Sequence, residues 1–311
     1  MFDIFRYTPA KQAEWDAFIA KSKNGTFLMK RDYMDYHSDR FMDCSLMFYL
    51  NEKLYALMPA NICGNTFYSH QGLTYGGLVM SERCTTAEVL TLFHEMNNWL
   101  KSLGVTQVLY KPVPSIYSTL PAEEDLYALF RCGATQTTCG ISTTIPYDQL
   151  MKWHKDRHTA LNRAKRNHIT VRKTHHIEAF WSILTENLQT KHGVSPVHTL
   201  QEMELLISRF PEEIVLYEAV DAAGACMGGM LTYKTKRVLH SQYLAASSQG
   251  KKCGSIESVM ETVLAESGFK YFDFGISTEE GGQYLNEGLI YQKEGFGGRG
   301  ICYNTYEYTL S

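Results

Sequence analysis

The sequence predicts a mixed α+β protein built from one unit written twice, each copy a central mixed sheet flanked by helices. Two observations carry this. The same order of strand-like and helix-like segments occurs in both halves, and the glycines that close the order are almost equally spaced. A third is bulk, since 311 residues with 44% apolar content suffice for two cores.

In the first half, CSLMFYLNEKLYALMPANI reads as strand, polar turn, strand, and NTFYSHQGLTYGGLVM adds further strand. TTAEVLTLFHEMNNWLKSLG then places Val89, Phe93, Met96 and Leu100 on one helical face, and VTQVLY is a strand. In the second half, EIVLYEAVDAAGACMGGMLTY is again strand, turn, strand, followed by the strand RVLHSQYLAAS. CGSIESVMETVLAESG sets Ile256, Val259, Met260, Val263 and Leu264 at helical spacing, and FKYFDF closes as a strand.

Each last strand leads into an irregular loop, a short apolar segment and a glycine. That end is LYALFRCGA in one half and LIYQKEGFG in the other. Gly104 and Gly133 are 29 residues apart, Gly268 and Gly295 27. Duplication accounts for the whole order better than two unrelated segments do. Each unit begins with helices: TPAKQAEWDAFIAKS with Pro9 in its first turn, and later a helix marked by Ile177, Phe180, Trp181, Leu184 and Leu188. Thr199 and Glu202 form a capping box that opens another. The expected domains are 1–145 and 146–311, with the boundary near Pro146.

A net charge of −3 argues against a wholly basic nucleic-acid binder, so no DNA partner is expected. The eight cysteines stand singly, without a C-x-x-C pair or metal spacing, which points to a reduced, intracellular protein with no metal site. The first residues lack the pattern of a signal peptide, and no stretch reaches eighteen apolar residues. A cytoplasmic location is the expectation.

Several groups could carry chemistry. SSQGKKCGSIES joins a strand to a helix, and free amides at a helix N-terminus favour an anion. Gln249, Gly250, Lys251, Lys252, Gly254 and Ser255 are therefore candidate cofactor contacts; an exposed turn with a Ser/Gly cap is the plain alternative. Lys293, in YQKEGFGG, is either a cation beside a reacting carbonyl or a helix C-terminal charge. Asp273 either caps a turn or serves as base or amine anchor. In YSHQGLTYGG, His70 and Tyr75 fall among glycines that suit a groove, although a buried structural histidine also fits. The run from Lys152 to Lys173 holds eight Lys/Arg and one acid, Asp156. On a helix Arg157, Leu161 and Ala164 share a face while Arg163 and Arg166 lie elsewhere; the run is by default a solvated basic face, and in the sharper reading a patch for a nucleotide, tRNA or lipid-linked diphosphate. Tyr243 and Phe296 complete the candidate substrate contacts, with His70 and Arg163.

The stretch QGKKCGS resembles the acyl-CoA pyrophosphate loop of GCN5-related N-acetyltransferases (GNAT), Gln/Arg-x-x-Gly-x-Gly/Ala, although Lys252 stands where the first glycine belongs. The first half has no glycine at the corresponding place, LVMSERCTTAEV. Two such units, together with RHTALNRAKRNHITVRK, FDFG and YQKEGFGG, resemble the Fem-type peptidyltransferases and related acetyltransferase-like proteins of polysaccharide clusters. The resemblance implies two tandem GNAT-like domains, the second binding the donor. It implies an acyltransferase moving an acyl group from acyl-CoA (acetyl-CoA) to a small-molecule or lipid-linked amine of a cell-envelope or polysaccharide precursor. Lys293, Asp273 and Tyr75 would be catalytic, with the acceptor in a groove between the units and peripheral contact with a membrane-linked precursor. An alternative it also implies is an aminoacyl-tRNA-dependent transferase acting on a peptidoglycan precursor; the long helical hairpin that some Fem proteins use for tRNA is not legible here. A silent GNAT-like binding module is a third reading, favoured by Lys252.

Overall fold

The computed structural model describes residues 1–310. The chain divides into two compact units. One comprises Met1–Gly140, Thr278–Tyr284 and Cys302–Ser311; the other comprises Ile141–Ser277 and Leu285–Ile301. A single cut does not describe them, because two late segments return to the first unit.

In the first unit, strands Asp3–Arg6, Leu46–Leu50, Lys53–Met58 and Val79–Met80 form an antiparallel sheet in that order. Its central hairpin turns at Asn51 and Glu52, both with positive φ (50° and 61°), the geometry that matches the twist of the flanking strands. A second set runs Met42–Asp43, Asn61–Cys63, Thr66–Tyr68, Gln107–Tyr110 and the far end of Arg299–Thr309. Within it Thr66–Tyr68 and Gln107–Tyr110 are parallel. The C-terminal strand lies antiparallel to Gln107–Tyr110, with Tyr306 opposite Tyr110.

The helix Thr86–Ser102 connects the parallel strands. Thr85 caps it by accepting from the Glu88 amide, and Val89, Phe93, Met96 and Leu100 are buried, as their spacing requires. They pack with Phe48, Phe67 and Tyr110 in one core.

The second unit follows the same plan at greater length. Its strands run Thr170–Thr174, Ile214–Val220, Cys226–Lys234, Val238–Ala246, Tyr271–Ile276 and then the Ile141–Pro146 part of the Thr135–Pro146 strand. Every neighbouring pair is antiparallel except Val238–Ala246 with Tyr271–Ile276. The helix Ser255–Leu264 joins that parallel pair and buries Ile256, Val259, Met260 and Val263. The capping box of Thr199 and Glu202 is present at the start of Leu200–Arg209. Among the described residues no helix is long and apolar enough to cross a membrane.

One buried pair of the first unit sets a pH-dependent term. The Tyr110 hydroxyl donates to Asp125 Oδ2 at 2.6 Å, and both side chains are buried. Burial outweighs that hydrogen bond and raises the Asp125 carboxyl to about 6. A raised carboxyl holds its proton more tightly folded than unfolded. Its stabilising contribution is therefore complete below the unfolded value near 4 and lost as pH climbs through 6. Over that window the native chain should lose up to ~3 kcal/mol relative to D125N. Thermal melts of both proteins from pH 4.5 to 7.5 check this; parallel curves would exclude a buried, late-titrating Asp125.

Candidate active site

The parallel strands Val238–Ala246 and Tyr271–Ile276 pair only at Val238–Tyr271, Leu239–Phe272 and His240–Asp273. Beyond His240 the first strand stays on its antiparallel neighbour as far as Ala246. The second keeps to Ile141–Pro146 and shifts register between Asp273 and Ile276. The two strands therefore part, and a cavity of about 550 Å³ lies where their pairing stops. Ser241, Gln242, Leu244, Ala245 and Ala246 line one side of it and Phe274 the other. The helix Glu178–His192 adds Leu184, Asn187, Leu188 and Lys191, and Ile256 and Leu289 extend the apolar wall.

Charge in this cavity is one-sided. Arg157, Lys191, Lys251 and Lys293 reach it, against Glu257 alone. Arg157 Nη1 donates to Glu257 Oε1 at 2.9 Å, and its guanidinium lies 5.2 Å from the Phe296 ring. The wall keeps an excess of positive charge that favours an anionic ligand.

Lys293 sits near the end of the helix Glu287–Glu294 and is 6% exposed. Its ammonium donates to the carbonyls of Gly275 (2.7 Å) and Ile276 (2.8 Å), the end of the parted strand. These carbonyls are turned by Gly275, whose φ of +79° a side chain would resist. Two of the three ammonium hydrogens are so engaged, and one remains. Burial lowers the group to about 8, opposed by attraction to Asp273, so it is mostly charged at neutral pH.

Asp273 does not cap a turn. It is fully buried in the middle of the sheet, where Oδ1 accepts from Ser142 Oγ (2.5 Å) and Thr144 Oγ1 (3.4 Å). Its Oδ2 lies 2.8 Å from Nδ1 of His240, its register partner. A carboxylate there fixes the proton on Nδ1 and leaves Nε2 as the basic nitrogen. The His240 ring also approaches Gly275, the residue that anchors Lys293. His240 was missed in the sequence, although a polar residue at the point where a parallel pair parts is a usable signal.

The other expected residues scatter. SSQGKKCGSIES is no open loop: Ser248–Cys253 is a helical turn, Gly254 is left-handed (φ +85°), and the next helix starts at Ser255. The amides of Gly250, Lys251 and Gly254 bond to Ser247 Oγ, Ser247 O and Gly250 O. A Cβ on Gly250 would stand 1.9 Å from the Met227 carbonyl oxygen, and one on Gly254 2.2 Å from that of Ala160. Packing therefore demands these glycines. Ser255 is fully buried, Gln249 Nε2 meets Cys253 Sγ, and Lys252 is exposed. Of the six candidate cofactor contacts Lys251 lines the cavity, its ammonium on Asn187 Oδ1 at 2.8 Å; Ile256 and Glu257 of the same stretch line it as well.

Arg163 is exposed while Arg157, on the face shared with Leu161 and Ala164, reaches the cavity. Phe296 belongs to the core, edge-on to Trp153 at 5.0 Å. The Tyr243 hydroxyl meets His198 Nδ1 at 2.7 Å, and its ring packs on Trp181. In the first unit Tyr75 is buried, donating to Thr26 Oγ1 and packed on Tyr117, and His70 lines a different cavity.

No protein-family model matches the chain. No curated protein matches it by sequence either. Solved structures do match over nearly the full length. A structure of FemX superposes with a TM-score of 0.70 at 11% identity, covering 99% of this chain and 97% of that one. L-PGS from Bacillus licheniformis gives 0.62 at 14%, covering 97% and 91%. A tandem GNAT protein from the clavulanic acid biosynthesis pathway gives 0.53 at 12%, covering 100% and 99%. Two units of one plan, each with a single parallel pair among the described residues, and these full-length superpositions show that the chain has the tandem GNAT-like fold of these structures.

Proposed function

We propose that the protein is an N-acyltransferase whose donor lies in the wedge between Val238–Ala246 and Tyr271–Ile276. The observation that carries this reading is the buried Lys293 ammonium, held by two carbonyls with one hydrogen to spare, on the wall of a cavity rich in cations. Acyl transfer to an amine needs an uncharged amine, stabilisation of the carbonyl oxygen as it gains charge, and somewhere for the amine proton to go. Lys293 meets the oxyanion with its third N–H. The amine attacks the carbonyl carbon, the tetrahedral adduct collapses, and the donor's thiolate or alkoxide leaves. His240, oriented by Asp273, takes the proton through Nε2. No covalent enzyme intermediate is formed.

Removing the ammonium in K293A should lower kcat by about 10²–10³-fold with a smaller change in KM. Lys293 acts here as a cation, so kcat/KM should fall as pH rises through about 8, where the side chain deprotonates. K293R, which stays charged, should move that limb upward. A limb that rises through pH 8 in the native enzyme and is absent in K293R would make Lys293 a base and overturn this assignment, whereas a rise shared by both proteins reports deprotonation of the acceptor amine.

The donor follows from the same wall. Arg157, Lys191 and Lys251 suit a phosphate-bearing carrier, and the leucines behind them suit an acyl or pantetheine chain. Acyl-CoA is the first choice, with an amine of a lipid-linked or polysaccharide precursor as acceptor. One observation favours aminoacyl-tRNA instead: the glycines of QGKKCGS are closed by backbone packing, so side chains rather than a backbone cradle must hold the phosphates. Calorimetry with CoA separates the two. Micromolar-range binding, weakened about 10-fold in K251A, supports the thioester. No CoA binding, with transfer from aminoacyl-tRNA, assigns the other donor.

A further inference from the structure

The strands Thr135–Pro146 and Arg299–Thr309 lie side by side in the sheet. Two glycines give their register. A Cβ on Gly298 would stand 2.4 Å from Thr143 Cγ2, and one on Gly300 2.8 Å from Ile141 Cδ1. One number falls as the other rises, so the strands are antiparallel, and residues that face each other share a side of the sheet. The next step of that series sets Cys302 opposite Cys139. Beyond it the strands stay together: Gln136 Nε2 donates to Asn304 Oδ1 at 3.3 Å, and Thr137 Oγ1 to the Thr305 carbonyl at 3.4 Å. Both cysteines belong to the first unit.

The side chains agree with the register. The Cys302 and Cys139 thiols are in hydrogen-bond contact, and both are free. Facing residues of antiparallel strands bring their Cβ atoms to about 4.5–5.5 Å, a short step from the roughly 3.5–4.5 Å of a disulfide. Cys302 is exposed and Cys139 half-buried, so a solute reaches the pair through Cys302. The backbone at Cys139 is held from outside the ladder. Gly282, left-handed at φ +101°, lies so close that a Cβ there would stand 2.0 Å from the Cys139 carbonyl oxygen. Ladder and glycine together keep the two sulfurs adjacent.

We infer that Cys139 and Cys302 form a dithiol site that exchanges with a low-molecular-weight disulfide and closes into a cross-strand disulfide. The site is separate from the acyl-transfer reading and does not depend on it. The Cys302 thiol gives up its proton, and its thiolate attacks one sulfur of the small disulfide. The other sulfur leaves as a thiolate and takes up a proton. Cys139, likewise deprotonated, attacks the Cys302 sulfur of the mixed disulfide and expels the second small thiol. Two protein S–H bonds are exchanged for one S–S bond, and the small disulfide gains the two electrons and two protons. Burial, with the adjoining thiol, raises the Cys302 thiol above its ordinary value, which makes it a poor leaving group and slows reopening of the closed bond. The two cysteines are 163 residues apart, so closure ties a long loop of the unfolded chain and stabilises the fold under thiol-oxidising conditions.

Oxidised glutathione is the probe. The full chain is incubated with it at about pH 8.5, where thiolate is better populated, the remaining thiols are alkylated, and unreduced peptides are mapped by mass spectrometry. The peptides of Cys139 and Cys302 should be recovered joined, and excess dithiothreitol should return both as thiols. C139S should stop at the mixed disulfide, with glutathione kept on Cys302. C302S should leave Cys139 at least about 10-fold slower to react, since the exposed entry is gone. K293A, which removes the proposed transfer chemistry, should close like the native chain. The map of the native chain decides the matter without any variant. Glutathione retained on Cys302 with no joined peptide, both cysteines recovered as free thiols in folded protein, or Cys302 joined to a different cysteine would each overturn the assignment.

Discussion

The second unit depends on where one ladder of hydrogen bonds ends. Val238–Ala246 and Tyr271–Ile276 share three register pairs and then separate. Two neighbouring strands normally continue, since an unpaired backbone group away from water is expensive. Here each strand has another neighbour to follow, and the freed carbonyls of Gly275 and Ile276 find a lysine instead of a strand. The lysine and the cavity are consequences of a single event. Without the parting there would be no acceptors for Lys293, and without Lys293 the strand end would carry unpaired carbonyls at the cavity.

Asp273 explains why the parting occurs at a fixed place. It is the last residue of its strand to pair with Val238–Ala246, and hydroxyls from Ser142 and Thr144 and the imidazole of His240 hold its carboxylate from both sides. Replacing it by an apolar residue would leave two hydroxyls and a ring nitrogen without their common acceptor, at a cost of about 1–3 kcal/mol each for those that stay buried. A buried polar network of this kind specifies register as well as charge, because moving the strand by one residue would turn Asp273 to the opposite face.

Much of this was legible in the sequence, and what was lost has a common cause. Helix faces read correctly because periodicity reports burial directly: Val89, Phe93, Met96 and Leu100 are inside, and so are Ile256, Val259, Met260 and Val263. The same logic put Arg157 and Arg163 on different faces, yet the substrate contact was expected at Arg163, which is exposed, and it is Arg157 that lines the cavity. Glycines read poorly. Gly250 and Gly254 looked like room for an anion, yet carbonyls of Met227 and Ala160, distant in the sequence, occupy that room. A glycine signals close approach without saying by what. Asp273 and His240 were equally opaque, since their partnership rests on a parallel pairing that joins residues 33 apart. Lys293 was legible only through resemblance; its sequence position alone fits a helix end just as well.

The two copies show how one plan yields different surfaces. In the first unit the parallel pair ends at Tyr68–Leu109, the counterpart of His240–Asp273. There the seam does not open. Ser69 donates its amide to the Leu109 carbonyl and accepts the Lys111 amide on Oγ, and the Gly76 amide closes on the Lys111 carbonyl. Three hydrogen bonds from the YSHQGLTYGG segment thus fill the place where the second unit has a wedge. The segment that seals the seam is the one that carries His70 into its own cavity, held by Lys111 on the Leu73 carbonyl. Closing one cleft and lining another cavity are therefore the same structural act. A strand that leaves its neighbour early exposes carbonyls that a lysine must meet; a strand end stitched by a glycine-rich loop displaces that loop's side chains to a new wall. The residues just past the last register pair differ accordingly: Ser69 bonds across its seam through amide and hydroxyl, whereas Ser241 stays in register with Thr232 on the far side of its strand.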